Sequence, residues 1–312
     1  MTHLRVLFFG MLGTLTRLPL AALLAAGVEL GGLVLPAEIV PPFELVGNGR
    51  SPHQPITLIR PQPPALNLLP TGQTASPLAL AAAHSVPAFA VRQLAAPETV
   101  ATLAALQPDL ICVSCFPHRL PPAILNLPRL GCLNVHPSLL PRFRGPVPLF
   151  WALRAGVAET GVTVHFMDEQ FDTGDVVGQR PFPLPTGITH PELETRLAQI
   201  GAELLVDAVA KAAVGPLPRQ PQPPGFVSDP WPREADFMLD TSWSAQHAFN
   251  FMRGTGNWER PYAVQFDGRT VWLETAVSFT QVAPIPHLIQ WQGALVQVQF
   301  NPGVLTAVPL AA

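Results

Sequence analysis

The chain has 312 residues, 48% of them hydrophobic and only 12% charged, with 38 prolines, a formal net charge of -3 and a pI near 6.3. That length exceeds the usual single domain and predicts two, each able to bury its own core. The composition excludes a disordered chain. With no excess of positive charge to draw it to a phosphate backbone, any nucleic-acid partner needs a local basic patch.

The first segment, 6–40, is apolar enough to suggest a signal peptide and a membrane span. Gly10, Gly13, Arg17, Pro19, Glu29 and the Gly31-Gly32 pair interrupt it, so the roughly 18 consecutive apolar residues a span requires do not occur. It divides instead into a strand at 5–9, a glycine turn, a helix near 18–26 and a strand at 29–35. No membrane partner is expected, and the absence of an export signal predicts a cytoplasmic protein with reduced thiols.

Further strands are predicted near 57–59, 88–90, 110–114 and 132–135, alternating with helices at 78–84, 99–107 and 122–125. That alternation predicts an α/β fold, a doubly wound and mostly parallel sheet, with its site at the carboxyl ends of strands. The turn Gly10-Met-Leu-Gly13 lacks the GxGxxG spacing of a dinucleotide site. Cys112 and Cys115 form a CxxC, but on a strand residues three apart face opposite ways and cannot share a metal. With Cys132 they read as inert core thiols.

A strand at 160–167 and a helix running to about residue 213, opened by a Thr189/Glu192 capping box, complete the first domain at 1–213. Residues 214–232 read as a semi-rigid Pro-rich linker. In 233–312, a short helix at 245–253 and strands at 263–266, 270–273, 294–300 and 304–308, separated by Gly turns, predict a small C-terminal β-barrel.

The chemistry concentrates in Gly131-Cys-Leu-Asn134-Val-His136-Pro-Ser138-Leu-Leu-Pro141-Arg142-Phe-Arg144-Gly145 and in Phe171-Asp172-Thr-Gly174-Asp175. On a strand, Asn134 and His136 project from one face at its carboxyl end. Asp172 heads a tight turn that can bring a carboxylate to His136. An amide that donates to an oxyanion, an imidazole that moves a proton and a carboxylate that orients the imidazole suit attack of an amine on a formamide-like carbon.

Together these segments resemble the folate-dependent formyltransferase family. The resemblance covers most of 133–179, including Asn-Val-His-Pro-Ser-Leu-Leu-Pro, Arg-Gly, Glu-Thr-Gly-Val-Thr and Asp-Thr-Gly-Asp, and extends to the opening strand Arg-Val-Leu-Phe-Phe-Gly and to Pro108-Asp-Leu-Ile. It implies Asn134, His136 and Asp172 as the catalytic trio and 10-formyltetrahydrofolate as formyl donor, with no metal, so Asp168, Glu169 and Asp175 are not read as ligands. The donor's pterin would lie between two loops, through Phe116, His118, Arg119, Leu120 and Pro121 on one side and Met167, Gln170 and Phe171 on the other. Members commonly carry Tyr-Gly-Gln-Ile-Leu-Pro in the first loop, from which Pro117 and His118 depart. Ser138, Arg142, Arg144 and Gly145 form the substrate loop, where Ser138 and Arg144 either brace the loop or meet the acceptor.

The two-domain layout, with Phe237-Met-Leu-Asp240-Thr-Ser-Trp243 opening a barrel of OB type, resembles the branch that formylates methionyl-initiator tRNA, and that tRNA is the expected partner. Two features stand against it. The basic, glycine-rich insertion of that branch is missing: 36–50 holds two acids and one arginine. The C-terminal domain sets four arginines against six carboxylates. A formyltransferase for a small amine, such as a nucleotide-linked amino sugar, and a folate-binding protein with a vestigial site therefore stay open.

Overall fold

The computed structural model describes residues 4–40, 54–59, 75–281 and 285–310. Two compact units emerge, one made of 1–144, 161–181 and 195–228, the other of 145–160, 182–194 and 229–312. The chain thus crosses between units several times.

The first unit is built on an eight-stranded sheet: β1 (Arg5–Gly10), β2 (Glu29–Pro36), β3 (Ile56–Ile59), β4 (Ala88–Val91), β5 (Leu110–Ser114), β6 (Cys132–His136), β7 (Glu159–Phe166) and β8 (Val176–Pro183), in the order β3-β4-β2-β1-β5-β6-β7-β8. Strands β4, β2, β1, β5 and β6 run parallel, while β3 and β7 are antiparallel to their neighbours β4 and β6. This is the doubly wound, mostly parallel α/β architecture that the alternating pattern predicts. Residues 6–9 and 110–114 are all buried, as strands covered on both faces require.

Helix α1 (Thr14–Ala25) begins before the expected Leu18, with Pro19 in its interior. A proline there denies a hydrogen bond to the carbonyl four residues back, that of Leu15. The Ser114 hydroxyl supplies the missing donor at 2.5 Å. The Thr16 hydroxyl donates to the Ser114 carbonyl (2.9 Å) and accepts from Met11 N (2.8 Å), fastening the glycine turn to the end of β5. Helices α2 (Pro77–Ala83), α3 (Pro97–Ala105) and α4 (Pro122–Leu125) follow, each with proline in its first turn. Helix α5 (Pro148–Arg154) and strand β8 are absent from the sequence reading. An edge strand containing Pro181 and Pro183 carries little of the β signal.

Two expectations need correction. Strand β5 stops at Ser114, and Cys115 is exposed with φ +58°, so it is not a core thiol. Cys112 and Cys132 are buried, and burial raises both thiols, that of Cys132 to about 12. The Pro-rich stretch after helix α6 (His190–Ala212) is extended, but it lies along the first unit instead of spanning freely. Val176 N donates to Gln220 O (2.8 Å) and Gln220 N returns the bond (3.0 Å). At the start of α6 Glu192 accepts from Thr189 N (2.9 Å) and from its hydroxyl (2.7 Å), the contact that a capping box asks of its acid.

The second unit carries a five-stranded antiparallel sheet, β9 (Tyr262–Phe266), β10 (Arg269–Thr280), β11 (Ile289–Gln292), β12 (Leu295–Gln299) and β13 (Val304–Pro309), ordered β11-β12-β13-β10-β9. This is consistent with the expected OB-like domain. Strand β10 is longer than predicted because it bends through register shifts near Leu273/Thr275 and Ala276/Ser278, which break the alternation a strand pattern needs. Helix α7 (Ala245–Gly254) starts on Ser244, whose hydroxyl accepts from His247 N (3.1 Å). Its Phe251 meets Phe150, Trp243 and Tyr262 with ring centroids 5.4–5.8 Å apart.

Candidate active site

Strand β6 presents Asn134 and His136 on one face, and its antiparallel neighbour β7 sets His165 directly opposite Asn134. The turn after β7 brings Asp172 above them. Asp172 Oδ1 is the focus: Asn134 Nδ2 donates to it at 3.3 Å, His136 Nδ1 lies at 3.5 Å and His165 Nε2 at 3.5 Å. The expected trio therefore does converge, and His165 joins it as a fourth member that sequence reasoning missed. Its register opposite Asn134 is a tertiary fact; in the sequence His165 is one polar residue among several in a strand that also holds Glu159, Thr160 and Thr163.

Hydrogen bonding assigns the tautomers. His136 Nε2 donates to the Phe143 carbonyl at 2.8 Å, so its Nδ1 faces Asp172 and carries a proton only when the ring is charged. His165 Nδ1 donates to the Phe166 carbonyl at 2.7 Å, leaving Nε2 to accept from Asn134 Nδ2 at 3.1 Å. His136 is 4% exposed. Burial pushes its proton affinity below the ordinary histidine value; Asp172 and the Phe143 carbonyl oppose that shift without cancelling it. The result is a neutral, desolvated imidazole beside a carboxylate that can stabilise the charged form once a proton arrives.

Two backbone positions around the imidazole are left-handed without being glycine: Phe143 at φ +57° and Asp172 at φ +56°. Such residues cost about 1–3 kcal/mol each and persist where surrounding contacts hold them. Thr163 is one such contact: its hydroxyl donates to Ser138 O (2.7 Å) and accepts from Leu140 N (3.1 Å), and the Ser138 hydroxyl donates to Arg142 O (2.8 Å). At Gly174, any Cβ would collide with the Phe166 carbonyl oxygen.

In the substrate loop Ser138 is fully buried and braces the turn. Arg142 is exposed, with its guanidinium 4.9 Å from the Phe143 ring centre. Arg144 is 7% exposed, and its guanidinium is occupied by Gln222 and by the Phe226 carbonyl. It anchors the loop. Gly145 follows at φ +109°.

The two loops expected to hold the pterin meet. Arg119 Nη1 donates to the Glu169 carbonyl at 3.3 Å, and its guanidinium lies 5.5 Å from the Phe171 ring centre. Leu120 is buried, and Phe116 packs edge-on against Phe9 at 5.3 Å. Exposed His118 pairs with Glu38 at 2.8 Å. Gln170 N donates to Asp168 Oδ1 at 2.9 Å, closing the second loop, and Pro121 precedes α4. Beside Met167 lies a cavity of about 270 Å³ walled by Leu125, Cys132, Phe166, Asp168 and Arg219. Among the described residues no group of three or more His, Cys, Asp or Glu is placed to hold a metal ion. The insertion at 36–50 lies mostly outside the described residues.

A doubly wound sheet carrying amide, imidazole and carboxylate around one oxygen defines an acid–base site of an α/β enzyme. The formyl transferase family is matched over residues 49–209, and the chain belongs to that family. It is 38% identical over 224 residues to a methionyl-tRNA formyltransferase of Synechococcus sp. (strain JA-3-3Ab), covering 70% of this chain and 68% of that one. It is 35% identical over 253 residues to the methionyl-tRNA formyltransferase of Syntrophus aciditrophicus (strain SB), covering 80% and 79%. The fold is also that of an N-formyltransferase from Helicobacter canadensis, solved with folinic acid and dTDP-3-aminofucose, with a TM-score of 0.64, 12% identity and coverage of 97% and 98%.

Proposed function

We propose that this protein transfers the formyl group of 10-formyltetrahydrofolate to the amino group of methionyl-initiator tRNA, with Asn134, His136 and Asp172 as its catalytic residues. The observation that carries the reading is the convergence of the Asn134 amide and the His136 imidazole on the carboxylate oxygen Asp172 Oδ1, inside a chain 35% identical to a methionyl-tRNA formyltransferase over 253 residues.

The amine nitrogen attacks the formyl carbon, a C–N bond forms and the carbonyl electrons move onto oxygen. Asn134 donates to that oxyanion once its longer hydrogen bond, to Asp172 at 3.3 Å, turns outward. Neutral His136 accepts the proton that the attacking amine sheds, and Asp172 beside Nδ1 stabilises the imidazolium. Collapse expels the folate nitrogen, which takes a proton back, leaving tetrahydrofolate and the N-formyl product.

We place the donor between 116–121 and 167–172. Apolar surface from Phe116, Met167 and Phe171, with Leu120 buried behind them, suits a flat ring, and Asp168 with the loop carbonyls suits its N–H groups. The reading takes 1–213 as the catalytic domain and 233–312 as the smaller one. No helix among the described residues is long and apolar enough to cross a membrane; a cytoplasmic location goes with a tRNA acceptor.

The test is transfer of labelled formyl from 10-formyltetrahydrofolate to charged initiator tRNA, with amino-sugar nucleotides and a no-acceptor control in parallel. Label on the tRNA is the expected result. Label on a small amine alone would overturn the acceptor, and no transfer at all would overturn the activity.

A further inference from the structure

The segment after α6 adds a side chain to the site. Gln222 Nε2 donates to the carbonyl oxygens of Asp172 (2.9 Å) and Gly174 (2.7 Å), while its Oε1 accepts from Arg144 Nε (3.2 Å) and Nη2 (2.7 Å). The amide orientation is forced, because carbonyls only accept and a guanidinium only donates, and both amide hydrogens and both oxygen lone pairs are used. Arg144 Nη1 donates to Phe226 O at 3.0 Å, so the pair is tied to the same segment a second time.

These bonds fall on the two pieces of backbone that bracket the imidazole. Arg144 adjoins Phe143, whose carbonyl holds His136 Nε2 at 2.8 Å. Asp172, 3.5 Å from Nδ1 on the other side, is itself a contacted residue. Phe143 and Asp172 are also the left-handed positions of the site. A single half-buried amide thus joins the loop behind one ring nitrogen to the turn facing the other.

We infer that Gln222 is a positioning residue of the active site, clamping the Phe143–Arg144 loop and the Asp172–Gly174 turn about His136, so that the segment 214–228 is a wall of the catalytic site. The inference rests on the function proposed above for its turnover readout alone.

The test compares Gln222→Met, which keeps length and removes every hydrogen bond, with Gln222→Glu, which keeps an acceptor for Arg144 but sets a carboxylate against two carbonyls. Each is expected to lower kcat roughly 10- to 100-fold, the scale of a displaced catalytic group, with KM for the formyl donor changed by less than about threefold. In an Asp172→Asn background the further loss from Gln222→Met is expected to stay within about twofold, because both changes act through one carboxylate.

The His136 titration, followed by NMR without substrates, is expected to move to lower pH in Gln222→Met as the carboxylate drifts from the ring. Wild-type turnover with an unmoved titration, or a full multiplicative loss in the Asp172→Asn background, overturns the inference. If the Met variant does not unfold cooperatively, Gln222→Glu carries the same comparison. A wild-type protein that transfers no formyl to any acceptor while the titration still moves refutes the proposed function and leaves the clamp intact.

Discussion

His136 in the first unit, buried, and His247 in the second, half-buried, are both imidazoles whose proton affinity desolvation lowers, and they serve opposite ends. His247 Nε2 donates to the carbonyls of Leu153 (3.1 Å) and Arg154 (3.0 Å) at the end of α5, and its ring stacks on Trp243 at 4.0 Å. Its partners are neutral acceptors and an aromatic face, so the neutral ring is satisfied. His136 also donates one N–H to a carbonyl, but its other nitrogen faces a carboxylate. The difference teaches that burial alone makes a structural histidine; a charge poised to receive a proton makes a reactive one.

The comparison is sharpened first where the structural side is strongest. Phe251 is fully buried among Phe150, Trp243 and Tyr262. Phe251→Ala is expected to cost about 3–5 kcal/mol of stability through lost transfer energy and the cavity left behind. Urea unfolding measures it; a loss below about 1 kcal/mol would show that the second unit is not held by this cluster.

On the reactive side the order of effects is reversed, with a large change in turnover and a small one in stability. His136→Ala and Asp172→Asn are each expected to reduce turnover by at least roughly 100-fold, about 2.7 kcal/mol in the barrier, while folate binding persists. Single-turnover transfer with a parallel binding titration separates the two quantities. Near-normal turnover in either variant would remove that residue from the catalytic trio.

The same contrast governs what the sequence discloses. Asn134 and His136 are two residues apart on one strand, so strand periodicity alone puts them on one face, and the turn residues around Gly174 announce Asp172. His165 and Gln222 are no less central in space, but each reaches the site through register or long-range packing. His165 depends on which residue of β6 stands opposite it. Gln222 sits in a run of prolines and glutamines whose local pattern describes a tether, and only its pairing with Arg144, 78 positions away, gives it a place. The parallel strands are visible because burial on both faces makes them uniformly apolar, whereas β8 and β11 lie at sheet edges and carry no such pattern.

A pH profile extends the comparison to smaller effects. Because burial lowers His136 below the ordinary histidine value, the acid limb of formyl transfer is expected to lie below pH about 6.5. Asp172 is the largest influence raising it, so Asp172→Asn is expected to move the limb to still lower pH while depressing the rate throughout. A limb that moves upward would show that the carboxylate does not act on His136 as a charge.

The smallest effect belongs to His247. Its ring is neutral in the folded protein, while the unfolded chain takes up a proton near pH 6.5. Folding stability is therefore complete above that pH and falls as pH drops toward the lowered folded value, because the unfolded state binds the extra proton. His247→Phe retains a ring to stack on Trp243 but removes the donor to two helix-end carbonyls, and is expected to cost about 1 kcal/mol at neutral pH. Because the variant has no imidazole to protonate on unfolding, its loss of stability on acidification should be shallower than the wild type's, as read from urea midpoints between pH 5 and 8. An unchanged slope would mean that the acid sensitivity comes from the other histidines whose proton affinity desolvation lowers, His136 and His190, and that the cap on α5 tolerates a charged ring.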